Sequence, residues 1–339
     1  MGRNWPLRQT GQGLVLFFVL LTAISVFSGC GSQAAPPTYR VGILDGFTPF
    51  SAIADGFKAK MTELGYVEGQ NIIYDLHQVD VDLAVQQRVL SQFVADQVDL
   101  IFVFPTGPAL TAKAATRGTD IPVVFAMGSF EGTGLIENVR QPGGNITGVR
   151  TPGPEVVVKR FELLCELVPQ AKRIYATYNI SYQANQPALE ALRPAASALA
   201  VTLVEVPVTR VEDIQADLQA RAASGDIGMD AILIMPDDLS QSPTGWPLIS
   251  RFAQKHKLAV SGGALYEAET GATFSYIPDY VESGKLAAVL ADKILRGTPA
   301  GDIPVATPVE TLWLNYRKTQ ELGLTVPEEL LNLATEIIR

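Results

Sequence analysis

Cysteine and histidine are scarce in this sequence of 339 residues, which contains two of each. The cysteines are Cys30 and Cys165, and the histidines are His77 and His256. Because the four residues are scattered along the chain, they predict neither a zinc site nor a framework of disulfide bonds. The sequence therefore excludes metal chemistry that needs soft ligands, and we predict no cofactor.

Positive charge is also in deficit, since 26 lysine and arginine residues stand against 35 aspartate and glutamate residues. A net charge of −9 repels the phosphate backbone of nucleic acids, so we predict no nucleic-acid partner. Hydrophobic residues, by contrast, make up 47% of the chain. That is enough apolar material for the cores of two lobes of roughly 100 to 200 residues each.

The usual signatures of α/β enzymes are missing from the sequence. No GxSxG motif supplies a nucleophilic serine, and neither histidine lies in a pattern that would activate one. The stretch Gly128–Gly134 (GSFEGTG) has neither the Lys-Ser/Thr ending of a phosphate-binding loop nor the glycine spacing of a dinucleotide site. We therefore predict that the protein is not an enzyme, and a secreted α/β hydrolase is the weakest functional hypothesis.

The N-terminus has the features of an export signal. Arg3 and Arg8 form a positive region, and Leu14–Phe27 is an uncharged apolar run of the length found in signal peptides. The run is short for a membrane-spanning helix, which needs about 20 apolar residues.

The sequence Ser28-Gly29-Cys30 resembles the bacterial lipobox, although Phe27 stands where leucine is usual. We therefore expect residues 1–29 to be a lipoprotein signal peptide, Cys30 to be lipidated, and residues 30–38 to tether the lipid to the folded body. The alternative is an uncleaved N-terminal anchor. Both place the rest of the chain outside the cytoplasmic membrane.

After residue 38, short β-branched runs alternate with amphipathic stretches, as in βαβ units around a parallel sheet. This pattern predicts eight strands, at Tyr39–Leu44, Ile72–Leu76, Leu100–Phe104, Ile121–Ala126, Arg173–Thr177, Val201–Val206, Ala231–Met235 and Thr311–Leu314. Helices are predicted between the strands, and a closing helix is expected from Glu328 to Ile338. The structure-breaking sequence Thr151–Pro154 marks the expected boundary between two lobes.

Open parallel sheets bind ligands at the carboxyl ends of their strands, so the loops after the predicted strands form the candidate site. These loops combine aromatic side chains with small polar and acidic ones, which suits a small amphipathic or ring-bearing solute. The solute-binding candidates are Thr106, Ser129, Phe130, Glu131, Asn179, Tyr182, Asn185, Asp237, Trp246 and Tyr276.

Each candidate also has a structural interpretation. Loop aromatics commonly pack against their own lobe, Asp237 and Asp238 could cap the next helix, and Asn179 could occupy a turn.

Seven motifs follow one another along the chain: ELGYVEGQNI (63–72), VDLI (98–101), IPVVF (121–125), QPGGNITGV (141–149), KILRG (293–297), PV (304–305) and LGLTVP (322–327). Together they resemble one family, the extracytoplasmic substrate-binding proteins of ABC transporters that include tryptophan- and tyrosine-binding lipoproteins. The likeness covers nearly all of residues 39–339.

The resemblance implies an α/β fold of the type I periplasmic-binding-protein class. In this fold two Rossmann-like lobes with parallel sheets are joined by a three-crossing hinge. On that pattern residues 39–150 and 277–308 form the N-terminal lobe, and residues 151–276 and 309–339 form the C-terminal lobe.

The family pattern also implies that Thr106, Asn179 and Asp237 contact the ligand, and Asn185 falls where the family often has a serine. The loop after IPVVF departs from the pattern. Many members have an Asp-Pro pair there, whereas this chain has Phe130-Glu131 and one residue fewer. The glutamate is a candidate to replace the missing carboxylate.

If the solute is an amino acid, its ammonium needs a buried acceptor, for which Asp237 is the first candidate and Glu131 the second. Donors to its carboxylate would be the Thr106 hydroxyl, the Asn179 amide and backbone N–H groups at helix N-termini. The solute's side chain would lie against one of three aromatic residues, Tyr182, Trp246 or Phe130.

Two roles for Asp237 remain open from the sequence. If it pairs with a buried ammonium, Asp237→Asn should weaken binding by about 2 to 5 kcal/mol. If it caps a helix, the substitution should cost about 1 kcal/mol or less of stability and leave affinity unchanged.

The leading functional hypothesis is a membrane-anchored receptor that captures a small solute between its lobes and delivers it to a separate ABC permease and ATPase. We expect the receptor to be a monomer that closes on its solute. A sensory protein of the same fold, which would signal to a membrane kinase or chemoreceptor, is the alternative.

Overall fold

The computed structural model describes residues 1–2, 38–80, 82–151 and 153–339. Cys30, the tether up to residue 37 and nearly all of the predicted signal peptide lie outside these residues, so their roles stay predictions. Within the described part of the chain, no helix is both long enough and apolar enough to cross a membrane.

The first lobe is built on a parallel sheet of five strands with the order β2-β1-β3-β4-β5. The strands are β1 Tyr39–Asp45, β2 Ile72–Gln78, β3 Leu100–Phe104, β4 Val123–Gly128 and β5 Ile146–Arg150, and the helices between them are α1 Ala52–Glu63, α2 Leu83–Ala95 and α3 Thr106–Ala115. Every residue of β3 and β4 is buried, because helices cover both faces of the sheet.

The second lobe is built on a sheet of seven strands with the order β12-β11-β10-β9-β8-β6-β7. Its strands are β6 Arg173–Asn179, β7 Thr202–Val208, β8 Ala231–Leu233, β9 Ala259–Gly262, β10 Phe274–Pro278, β11 Glu310–Asn315 and β12 Ala334–Ile338. Its helices are α4 Pro154–Leu167, α5 Asn185–Ala198, α6 Val211–Ala222, α7 Trp246–His256, α8 Leu265–Thr270, α10 Tyr316–Glu321 and α11 Glu328–Leu333. The remaining helix, α9 Tyr280–Leu295, returns to the first lobe and packs on α1.

The chain crosses between the lobes three times. It leaves the first lobe after β5, returns between β10 and α9, and leaves again after Ala306, whose backbone pairs with the end of β5. The two-lobed α/β architecture predicted from the sequence is thus present. The expected boundary at residues 276 and 277 falls inside β10, whose last paired residue is Pro278.

The final crossing determines the direction of β11. The chain enters the second sheet from the end at which β10 leaves it, so β11 runs antiparallel to β10. The other neighbouring strands of both sheets are parallel.

The predicted closing helix from Glu328 to Ile338 is wrong in its second half. The helix ends at Leu333, and Ala334–Ile338 forms the edge strand β12, parallel to β11. Pairing with an available strand edge overrides the local helical pattern, since this segment ends in two adjacent isoleucines, which favour strands.

Helices α1 and α9 approach each other closely through glycines. A Cβ atom at Gly284 would lie 2.0 Å from the carbonyl oxygen of Ile53, and one at Gly56 would lie 2.2 Å from that of Val281. Because the obstacles are backbone atoms, only glycine permits this separation of the two helices.

Candidate functional site

The carboxyl ends of the strands in the two lobes face a shared cavity of about 480 Å³. From the first lobe it is lined by the loops that follow β1, β3 and β4, and from the second by those that follow β6, β8 and β9. This is where ligands of open α/β sheets bind. The volume lies within the range of about 300 to 1,000 Å³ that is typical of small-molecule sites.

Aromatic side chains from both lobes line the cavity. Phe47 and Phe50 come from the first lobe, and Tyr182 and Tyr276 from the second. The rings of Phe47 and Phe50 meet edge to face at 4.9 Å, and Phe50 also lies 4.9 Å from the ring of Tyr280. These packed rings form a firm apolar surface against which a flat solute could stack.

Thr106 lines the cavity from the first lobe. Its hydroxyl accepts a hydrogen bond from the backbone N–H of Ser129 at 2.9 Å and donates one to the carbonyl oxygen of Met127 at 3.4 Å. Burial raises the pKa of Tyr182 in the opposite lobe, and the nearby Thr106 hydroxyl partly opposes this shift. Polar groups of both lobes therefore line the same cavity.

Asp237 lies at the cavity wall, yet its carboxylate already accepts five hydrogen bonds. Oδ1 accepts from the backbone N–H groups of Leu239 and Ser240 and from the Ser240 hydroxyl, at 2.8 to 3.0 Å. Oδ2 accepts from the backbone N–H of Asn179 at 3.0 Å and from Nδ2 of Asn185 at 3.2 Å. Burial raises the pKa of Asp237, and the backbone hydrogen bonds oppose this shift. The carboxylate thus holds together the loops after β6 and β8.

The neighbouring Asp238 is half-buried and also lines the cavity. Its Oδ1 accepts one hydrogen bond, from Nδ2 of Asn179 at 2.8 Å. Among the residues that the structure describes, its other oxygen has no hydrogen-bond partner. Asp238 is therefore the more available carboxylate of the adjacent pair.

The two asparagines are committed to this loop network. Asn179 Oδ1 accepts from the backbone N–H of Ser181 at 2.9 Å, and Nδ2 of Asn185 donates to the carbonyl of Asn179 at 2.9 Å. Neither residue lines the main cavity. Their hydrogen bonds hold the loops of the cavity wall together.

The loop after β4 lies beside the main cavity. Glu131 lines a separate small cavity of about 30 Å³ and forms an ion pair with Arg150 at 3.8 Å. The guanidinium of Arg150 lies 5.2 Å from the ring of Phe130 and also pairs with Glu155 in the opposite lobe. Phe130 and Glu131, where the loop departs from the family pattern, thus both contact Arg150, the last residue of β5.

Trp246 lies in the core of the second lobe instead of at the cavity. Its side chain is 3% exposed, and its indole Nε1 donates to the Thr270 hydroxyl at 2.8 Å. The packing of α7 against the sheet accounts for this position, because Trp246 begins the buried face of that helix.

The structure thus brings half of the sequence candidates to one place. Those that line the main cavity are Thr106, Ser129, Tyr182, Asp237 and Tyr276, and those that do not are Phe130, Glu131, Asn179, Asn185 and Trp246. Whether each one binds the solute stays a prediction.

Sequence reasoning missed several polar residues of the cavity, among them Arg160, Asp238 and Gln241. Arg160 did leave a signal, because it interrupts the apolar face formed by Val156, Val157 and Phe161 on α4. A charged residue at such a position has a partner in most proteins. Gln241 lies in an irregular loop and gave no periodic signal.

Glu267 is fully buried next to the cavity. It accepts hydrogen bonds from the backbone N–H groups of Gly263 at 2.6 Å and Ala264 at 3.1 Å. Burial raises its pKa to about 7, and the backbone hydrogen bonds and Arg160 only partly oppose the shift.

We expect Glu267→Gln to stabilise the protein at high pH. The folded chain holds this proton more tightly than the unfolded chain, so the contribution of Glu267 to stability is fully present below about pH 4.5 and declines as the pH rises to about 7. A glutamine accepts the same two backbone hydrogen bonds without the charge. At pH 8 the variant should gain about 2 to 3 kcal/mol in free energy of unfolding, measured by urea denaturation across the pH range. Parallel pH profiles for the two proteins would contradict this expectation.

No group of three or more histidine, cysteine, aspartate or glutamate residues in the described ranges could hold a metal ion. The chemistry of the cavity is that of hydrogen-bonding groups and aromatic faces, which bind and orient an organic solute.

Comparisons with known proteins agree with this geometry. The family described as ABC transporter substrate binding protein matches residues 48–338. The "Tyrosine-binding protein" of Clostridioides difficile (strain R20291) is 30% identical over 257 residues, which cover 76% of this chain and 72% of that protein.

Two solved structures are similar to this chain at 25% identity. A domain from Streptococcus pneumonia in complex with L-Trp matches with a TM-score of 0.80, over 89% of this chain and 100% of that one. The ligand-free, open structure of a substrate-binding protein with adhesive properties from Clostridium difficile matches with a TM-score of 0.66, over 89% and 99%. The chain belongs to the family of ABC transporter substrate-binding proteins.

Proposed function

We propose that the protein is the extracytoplasmic solute receptor of an ABC importer, anchored by a lipid on Cys30, and that its solute is an aromatic amino acid. The observation that carries the proposal is a cavity shared by two lobes, with aromatic faces and a few polar groups on its walls. The tyrosine-binding relative and the L-Trp complex support the class of solute.

The proposed mechanism is closure of the two lobes on the solute. A solute that touches both lobes binds the closed arrangement more tightly than the open one, so it shifts the balance between them. Thr106 of the first lobe and Tyr182 of the second both line the cavity, so each lobe can offer a polar group to the same solute. A separate permease and ATPase would then recognise the closed form.

The solute's ammonium is assigned to Asp238, because this carboxylate lines the cavity and one of its oxygens has no hydrogen-bond partner among the described residues. Asp237, the first candidate from the sequence, would have to give up hydrogen bonds to its own loops to accept one from the solute. In this proposal Asp237 holds the loops of the cavity wall together, and Asp238 accepts the ammonium group.

The proposal is tested by calorimetric titration of the protein, purified from cells that express the full chain, with the twenty amino acids and a set of sugars. Small-angle scattering with the same compounds measures compaction. Binding and compaction should occur with L-tryptophan, L-tyrosine or L-phenylalanine and not with the sugars. Absence of binding by all three aromatic amino acids would refute the proposed solute class.

Asp238→Asn is expected to weaken binding of an aromatic amino acid by about 5- to 100-fold, because the ammonium loses its charged acceptor. The melting temperature should hardly change, since an asparagine oxygen can still accept from Asn179. Asp55→Asn is the matched control, because it removes the same charge from an exposed position on α1. Equal affinities of the wild type and Asp238→Asn would remove Asp238 from the site.

A further inference from the structure

Arg160 is a buried cation in the wall of the cavity. It is 3% exposed, and it lines both the main cavity and the small cavity beside it. Burial lowers its pKa to about 10, so it keeps its charge at neutral pH. A buried charge is costly unless it is paired and its donors are satisfied.

The described residues leave this cation largely unpaired. Nη1 of Arg160 donates to the carbonyl of Ile234 at 3.3 Å, and Nε has no hydrogen-bond partner among them. None of their carboxylates forms an ion pair with the guanidinium. The nearby Glu267 accepts hydrogen bonds from two backbone N–H groups at Oε2 and from the Tyr266 hydroxyl at Oε1, and its raised pKa leaves it only partly charged at pH 7.

The side-chain amide of Gln241 lies close to the guanidinium of Arg160. A Cβ atom at Gly263 would lie 2.2 Å from Nη1 of Arg160 and 2.5 Å from Nε2 of Gln241. Like Nε of Arg160, Nε2 of Gln241 lacks a hydrogen-bond partner within the described ranges. Two buried donors, one of them charged, are thus held together at the cavity by a glycine that leaves room for them.

We propose that Arg160 and Gln241 bind the acid group of the solute, which is a carboxylate if the solute is an amino acid. This inference rests on the proposed function and adds to it which end of the solute faces α4. A carboxylate can accept two parallel hydrogen bonds from a guanidinium, which both satisfies the donors and neutralises the charge. A solute without an acid group leaves the cation unpaired inside the closed cleft, so the site rejects it.

The experiment compares acids with their matched neutral analogues. The wild-type protein is titrated with L-tryptophan, L-tyrosine, their carboxamides, and the amines tryptamine and tyramine. The wild type should prefer each acid to its carboxamide by at least about 50-fold. Arg160→Gln should lower affinity for the acids by about 100-fold and reduce the preference to less than about threefold, with little effect on the carboxamides.

Arg193→Gln is the matched control, because Arg193 is a solvent-exposed arginine on α5 that pairs with Glu205 away from the cavity. It should leave the preference unchanged. A wild type that binds acids and carboxamides equally, or an Arg160→Gln variant that keeps the preference, would overturn the assignment while leaving the solute-receptor function intact.

The melting temperature measured without solute tests whether Arg160 is unpaired in the protein. This test does not depend on which compounds bind. Arg160→Met should melt at the same temperature as the wild type or higher, because it removes an unpaired buried charge. A drop of several degrees would show that Arg160 is paired within the protein and would also overturn the assignment. If no aromatic amino acid binds the wild type, the proposed solute class fails, and this measurement still decides the state of Arg160.

Discussion

Asp237→Ala is expected to lower the free energy of unfolding by about 3 to 5 kcal/mol. The substitution removes the acceptor of three backbone N–H groups, those of Asn179, Leu239 and Ser240. It also leaves the Asn185 amide without one of its two acceptors. Because the site is buried, water replaces these bonds poorly, and each unsatisfied donor carries a desolvation cost. Urea denaturation measures the loss directly.

The cost exceeds the roughly 1 kcal/mol of a simple helix cap, because this one carboxylate connects two loops. Asp238→Ala is the matched comparison at the next position. It removes the acceptor of one side-chain hydrogen bond, so its stability loss should be about 1 kcal/mol or less. Equal losses for the two alanine variants would contradict the structural role assigned to Asp237.

Gly284→Ala is expected to destabilise the protein by about 3 kcal/mol or more, through overpacking between α1 and α9. The added methyl group would lie 2.0 Å from the Ile53 carbonyl oxygen and 2.7 Å from the backbone nitrogen of Phe57. These are backbone atoms, so the helices must separate along their contact. Alanine is favoured over glycine within a helix by about 1 kcal/mol, and the clash outweighs that gain.

Gly225→Ala provides the control, since its Cβ would meet no atom within 4 Å and the residue is exposed. Its melting temperature should match that of the wild type within about 1 °C. If Gly284→Ala unfolds at the same urea concentration as Gly225→Ala, the close approach of α1 and α9 is not a determinant of stability.

Local pattern was sufficient for most of the regular structure. The strand Leu100–Phe104 occurs as predicted, because a wholly apolar run of five residues is too short for a helix and is typical of a buried strand. The strand Ala334–Ile338 was missed because its stability comes from pairing with the edge of β11, and that edge exists only in the folded sheet. A sequence pattern carries no information about a partner edge.

The residues of the candidate site were also predicted only in part from the sequence. The rule that ligands bind at strand carboxyl ends identified the loops that hold Thr106, Ser129 and Asp237, and these residues do line the cavity. It could not tell Asp237 from Asp238, since adjacent residues share a loop and differ only in which donors surround them. It also missed Arg160, which reaches the cavity from a helix.

The sequence by itself determined the fold class, the two series of α/β units and the family, because hydrophobic periodicity and ordered motifs are properties of the chain. Only the tertiary structure decided which polar groups already have partners within the protein and which keep free donors or acceptors. Hydrogen bonds among the loops after β6 and β8 occupy Asp237, whereas Arg160 and one oxygen of Asp238 remain available at the cavity. This distinction depends on distances of about 3 Å between residues far apart in sequence, which the order of amino acids does not specify locally.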